Sequence, residues 1–192
     1  FKNLKSIFNP KNKDIRSRII FTLLALTIFA IGNTITVPGT KEITANLGFL
    51  EYLNAISGGG LKQFSIFGLG VMPYISASIV VGLLQMDIIP YFSDLKNDGA
   101  KGRQKLNQIT RYMGIIVAFI QGVAMSIAFG ISNNALDIMK TALIMTAGTA
   151  FLLWLGDQIT QKGIGNGTSL IIMAGIIATL PQMFIDAFSG LV

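Results

Sequence analysis

The 192 residues are 52% hydrophobic and only 12% charged, about half of the roughly 25% charge that clothes a soluble domain, so lipid must be the solvent for much of this chain. The chain has no Cys, which excludes disulfide frameworks and thiolate metal sites, and no His, the commonest general base and metal ligand. The net charge of +6 leaves nucleic acid open as a partner until the placement of the cations is known.

A spanning helix needs about 20 largely apolar residues. In chain order, residues 1–18 come first, with Phe1, Leu4, Ile7 and Phe8 on one helical face and lysines beside them. This segment reads as an amphipathic stretch lying in the headgroup region, with a disordered basic tail as the alternative. The first span is 19–37, which stops at Pro38-Gly39. Residues 38–70 follow as an external loop, and the apolar window Gln63–Met86 opens inside it. The second span proper is 71–86, and 87–111 is a basic loop. The third span is 112–129, followed by the turn-like 130–140. The fourth, 141–156, is short and could be lengthened only by burying Asp157. A loop at 157–167 leads to the fifth span, which begins at Thr168, carries Pro181 near its end and runs into an external loop by 192. The start at Phe1 and the apolar end "FSGLV" read as a piece of a longer protein, and the runs are too many and too long for a cleaved signal peptide.

With a cytoplasmic N-terminus, 1–18, 87–111 and 157–167 lie inside and hold twelve of the 15 Lys and Arg residues, leaving Lys41, Lys62 and Lys140 outside. That positive-inside bias accounts for the pI of 9.7 without nucleic acid. "GIGNG" at Gly163–Gly167 lacks the strand and the lysine of a phosphate loop, so it reads as a turn in which Asn166, Thr168 or Ser169 caps the next helix. The span interiors hold no Asp, Glu, Lys or Arg, which argues against ion-coupled transport and against intramembrane acid–base catalysis. Gly114, Gly122, Ser126, Gly148 and Gly175 read as ordinary close packing between helices.

The irregular stretch is "SGGGLKQFSIFGLGVMPYISASI", Ser57–Ile79. Three glycines ahead of an apolar half-helix make a hinge. Non-helical backbone at membrane depth is tolerated only where it is buried in protein or lines an aqueous cavity. The stretch therefore reads as a short segment that dips in from outside, turns at the glycines and feeds the span from Pro73 to Met86. Pro73 suits a first helical turn. A plain span kinked at Pro73 is the alternative.

"SIFGLGVMPYISASI", "GRQKLNQITRY" and "WLGDQITQKGIGNG" resemble the SecY family, channel subunits of the bacterial Sec translocon, and "LLQMDIIP" has a Gram-positive character. The resemblance runs through all five spans. It implies an all-α polytopic membrane protein in which five transmembrane helices form the N-terminal half of a ten-helix inverted-repeat channel, with a broken second helix made of plug plus span. It implies a plug at Tyr52–Gly60, comprising Asn54, Ile56, Ser57, Gly58, Gly59 and Gly60, and a pore ring at Val71, Ile75, Thr168 and Ile172. A ring of aliphatic side chains excludes water and ions by dewetting yet yields to a passing chain. Ser76, Ile79 and Gly82 would lie on a lateral gate. Lys101, Arg103, Lys105 and Arg111 would dock cytoplasmic partners, although on composition alone they form a solvated, positive-inside loop. Three positions depart from the family pattern: Ala30 stands where relatives often carry arginine, Gly82 where a glutamine is common, and Thr168 where a ring isoleucine is frequent.

The resemblance implies a passive channel for unfolded secretory polypeptides in the bacterial cytoplasmic membrane, releasing membrane helices sideways into lipid. Its implied partners are SecE and SecG, the SecA motor or the ribosome, signal sequences and nascent chains, membrane lipid, and the C-terminal half of the same protein. No cofactor, metal or catalytic residue is expected. A solute transporter with broken helices is the alternative. A membrane enzyme would lack His, Cys or paired buried carboxylates to work with.

Overall fold

The computed structural model describes residues 13–40, 54, 57–86, 88–130 and 134–189, without the side chains of 182, 183 and 186–189. Ile56 and the amphipathic segment 1–12 lie outside the described residues. Among those described, the regular structure is helical: α1 (Lys13–Thr34), α2 (Met72–Leu84), α3 (Pro90–Asn97), α4 (Gly99–Ala128), α5 (Ala135–Lys162) and α6 (Gly167–Ser189). By length and composition α1, α4 and α5 are long and apolar enough to cross a membrane, while α2 and Gly167–Pro181 of α6 are shorter apolar helices.

Helix α5 is the centre of the bundle. Half of its apolar window is buried, against 22% for α1 and for α4. The main core joins Ala25 and Phe29 of α1, Phe67 and Val71 of the segment before α2, Leu152, Leu155 and Ile159 of α5, and Ile171 of α6. Large apolar residues such as Leu23, Leu24 and Ile28 of α1 and Ile116, Ile120 and Ile127 of α4 point outward. Against lipid, helix contacts gain little from apolar burial, so close backbone approach must do more. The small residues supply it. A Cβ on Gly122 would sit 3.1 Å from Cα of Ala142, and one on Gly114 would sit 3.3 Å from Cα of Tyr74.

Several boundaries differ from the sequence expectation. The expected basic loop 87–111 is largely helical, holding α3 and the first turns of α4. Pro90 starts α3, and Gly99 at φ +67° turns the chain into α4. Gly102 then lets α4 fold back onto the Leu95 carbonyl. Charge and glycine suggested a loop, but Val81, Leu95 and Leu106 bury together with Phe92, Ile109 and Met113 around them. At 30 residues α4 is about 45 Å long, well beyond the roughly 30 Å hydrocarbon core. Helix α5 likewise outruns 141–156 at both ends. It carries Asp157 inside the helix, paired with Arg111 of α4, so that carboxylate is not buried alone. Asn166 is the residue that caps α6: the Ser169 N–H donates to its Oδ1 at 3.1 Å.

Candidate functional site

The second apolar window is broken, not merely kinked. Residues 57–71 form consecutive turns, and a regular helix begins only at Met72, with Pro73 in its first turn. Backbone at this depth needs partners for its polar groups, and each part of the segment finds them differently.

Downstream of the glycines the segment is sewn to the end of α1 through its backbone. Val37 N–H donates to the Phe64 carbonyl at 2.8 Å and Ile66 N–H to the Ile35 carbonyl at 2.9 Å, around an antiparallel bridge between Thr36 and Ser65. Phe64 takes φ +46°, a strained conformation for a bulky residue. The burial of its ring among Val37, Leu69, Ala118 and Met145, edge-on to Phe129 at 5.7 Å, offsets that strain.

The middle of the segment lies against α5. A Cβ on Gly148 would stand 1.9 Å from the Ile66 carbonyl oxygen, so only glycine admits the strand there. One residue on, Thr149 Oγ1 donates to the Gly70 carbonyl at 3.2 Å. Phe67 slots under Gly32 and stacks between Phe29 and Phe151, with centroids 6.3 and 5.8 Å away.

Upstream, Ser57 and Gly58–Gly60 rest between α1 and α6. Gly58 and Gly59 take φ +76° and +82°, which glycine alone adopts without penalty. Built as alanine, Gly58 would place its Cβ 3.2 Å from Cα of Gly175 in α6 and 3.4 Å from the Phe29 ring. Gly148 and Gly175 therefore do more than pack helix on helix: both face the unwound segment. Asn54 organises the turn from within, its carbonyl accepting from Gly59 N–H at 2.8 Å and Ser57 Oγ at 2.9 Å, and its Oδ1 accepting from Lys62 N–H at 2.9 Å. Asn33 of α1, which the sequence reading passed over, donates its side-chain amide to the carbonyls of Ser57 and Gly58 at 3.0 and 3.2 Å. It is the lone carboxamide in the apolar run 19–37, a signal that was there to be read.

Of the four expected ring positions, Val71 is in the main core and Ile75 and Ile172 pack against it. Thr168 lies apart, in the first turn of α6 against Gly156 of α5. Ser76 lines an apolar cavity of about 340 Å³ between the segment (Ser57, Leu61, Leu69) and the C-terminal end of α4 (Met125, and Phe129 just beyond it). Ile79 is exposed, and nothing lies within 4 Å of where a Gly82 Cβ would be. Lys101, Arg103 and Lys105 are exposed on the first turns of α4. Arg103 also borders a polar cleft with Ser78, Gln85 and Asn107, whereas Arg111 is engaged by Asp157. Among the described residues no cluster of His, Cys, Asp or Glu could hold a metal.

A model of the SecY family matches residues 65–191. The chain belongs to the SecY family. It is 48% identical to protein translocase subunit SecY of Staphylococcus aureus strain NCTC 8325, covering 92% of this chain and 44% of that protein. It is 50% identical to the Staphylococcus epidermidis RP62A subunit of the same name, covering 88% and 43%. The chain thus spans less than half the length of these curated relatives. Its fold matches Sec61 in the canine ribosome-channel complex from the endoplasmic reticulum, with a TM-score of 0.66 at 22% identity over 86% of this chain and 37% of that one. It also matches, with a TM-score of 0.62 at 22% identity over 86% and 36%, a SecY structure whose plug domain is described as stabilising the closed channel and maintaining a membrane seal. The name these relatives carry, protein translocase subunit, favours polypeptide translocation over the solute-transporter alternative.

Proposed function

We propose that this chain forms half of a protein-conducting channel of the bacterial cytoplasmic membrane, with Asn54–Gly60 as its plug. The observation that carries the reading is the unwound segment 57–71, which lays a glycine hinge between α1 and α6 next to the apolar cluster of Val71, Ile75 and Ile172. In this reading those three residues belong to the hydrophobic constriction, and Thr168, one turn away and packed on α5, contributes least. Ser76, Ile79 and Gly82 of α2 belong to the lateral gate, where the exposed Ile79 meets a signal sequence or a departing membrane helix.

The basic ends of the helices face the cytoplasm, as the distribution of Lys and Arg favours. Lys101, Arg103 and Lys105 dock the SecA motor or the ribosome, which supplies the energy, and Arg111 acts mainly as a strut to Asp157. SecE, SecG and the C-terminal half of the full protein complete the assembly. The exposed Ile176, Ile177, Leu180 and Phe184 of α6 offer that half an apolar face. The expected span interiors hold no Asp, Glu, Lys or Arg, so in this reading opening is a mechanical displacement of packed side chains.

The test is resting ion conductance of the full-length channel in planar bilayers. Deleting residues 54–60, or changing Ile75→Gly, should each make it leak. Conductance equal to wild type in both variants would overturn the assignment.

A further inference from the structure

Asn33 stands at the last turn of α1, 8% exposed, with the two limbs of the glycine hinge on either side of its carboxamide. The amide nitrogen donates to the carbonyls of Ser57 and Gly58, ahead of and at the start of the glycines. The amide oxygen accepts from Ser65 Oγ at 3.4 Å, beyond them. A carboxamide has donors on one side and acceptor lone pairs on the other, so the two carbonyls, which can only accept, fix which way it faces, and the Ser65 hydroxyl then donates to the oxygen. Ser65 itself is fully buried, and its backbone belongs to the bridge with Thr36.

The two limbs are therefore held unequally. The downstream limb is attached to the chain after α1 by backbone hydrogen bonds on both sides of the bridge. Among the described residues the upstream limb crosses to α1 through two bonds from one side chain, and it lies close to α6, where a Cβ on Gly58 would stand 3.2 Å from Cα of Gly175 and one on Gly59 would stand 3.6 Å from Cγ2 of Thr179. Gly58 and Gly59, already at positive φ, are where the backbone can swing.

We propose that Asn33 is the residue that latches the plug: its amide holds the upstream limb in the closed position and releases it at the glycines, while Ser65 stays and keeps the carboxamide aimed at the vacated place. This rests on the plug reading above. Two hydrogen bonds in a low-dielectric site make a latch strong enough to bias the closed state and weak enough to break in each working cycle. The latch also sets how strong a signal sequence must be to open the channel, since any intrinsic instability of the closed plug reduces what the signal must supply.

The experiment uses the full-length channel with Asn33→Leu, similar in size but unable to donate, and Asn33→Asp, which sets a carboxylate against two carbonyls. Resting ion conductance is measured in planar bilayers, and export of a precursor with a weakened signal sequence is measured in cells. Asn33→Leu should raise the open-to-closed ratio about tenfold, equivalent to about 1.4 kcal/mol, and rescue the weak precursor. Asn33→Asp should exceed it, and Ser65→Ala should give about a threefold rise. Deletion of 54–60 is run alongside. If the deletion leaks while both Asn33 variants conduct and export like wild type, the latch is wrong and the plug stands. If the deletion does not leak, the plug reading itself fails and the latch falls with it. Should Asn33→Leu not accumulate in the membrane, Ser65→Ala decides, and wild-type values for it overturn the proposal.

Discussion

Helix α5 and the segment 57–71 lie side by side, and both are largely apolar, yet they solve the backbone problem in different ways. Helix α5 satisfies its N–H and C=O groups internally, and its neighbours merely pack on it. The segment bonds internally only in separate turns, from Phe64, Ser65, Gly68 and Gly70 N–H to the Leu61, Gly60, Ser65 and Phe67 carbonyls, and otherwise relies on others: the backbone after α1 for Phe64 and Ile66, Thr149 for Gly70, and Asn33 for Ser57 and Gly58. A continuous helix moves as a rod or not at all. A chain held by a few separable contacts can be released one limb at a time, and the few residues that hold it carry a disproportionate share of the stability.

That contrast can be broken by substitution. Phe67→Ala removes the ring stacked between Phe29 and Phe151 and should cost about 3 to 5 kcal/mol, seen as a fall in the thermal midpoint of the detergent-solubilised full-length channel. Gly148→Val drives a side chain into the Ile66 carbonyl and should cost about 1 to 3 kcal/mol in the same assay while opening a leak, because the segment must lift off α5. Gly122→Ala, at the ordinary seam between α4 and α5, should cost less than Gly148→Val and leave the channel sealed. A leak there would erase the distinction between the two regions. Thr149→Val leaves the buried Gly70 carbonyl without its hydroxyl donor and should destabilise by about 1 to 2 kcal/mol, with α2 entering from a loosened start. Smallest of all, Arg111→Ala at the half-exposed pair with Asp157 should change stability by about 0.2 to 1 kcal/mol, and 1 M salt should reduce even that.

The broken window was legible because glycine and proline act locally. Gly58–Gly60 and Pro73 say where a helix cannot run and where one can begin, and the start of α6 was legible near Asn166, Thr168 and Ser169, of which Asn166 proves to be the cap. The helical character of 87–111 was hidden because its burial is tertiary. Leu95 and Leu106 are core residues only once α3 and α4 fold onto Val81. Gly148 looked like any small residue at a helix seam, since nothing in its surroundings announces that an unwound strand will lie across it. Asn33 was visible as a lone amide in an apolar run, but its partners are backbone carbonyls 24 and 25 residues away, and a carbonyl has no sequence signature. Thr168 matched a ring position by resemblance, and the structure packs it on Gly156 of α5.

The central claim is that the upstream limb leaves its place when a polypeptide passes, while the helix seam stays shut. This chain has no native cysteine, and Ser57 and Ala142 are both buried, at 3% and 0% exposure. The direct measurement is labelling of Ser57→Cys and of Ala142→Cys by a water-soluble maleimide in the full-length channel, at rest and with a precursor arrested in transit. Both thiols should be protected at rest, and only the one at position 57 should become reactive during transit. Equal protection of position 57 in the two states would contradict a limb that moves.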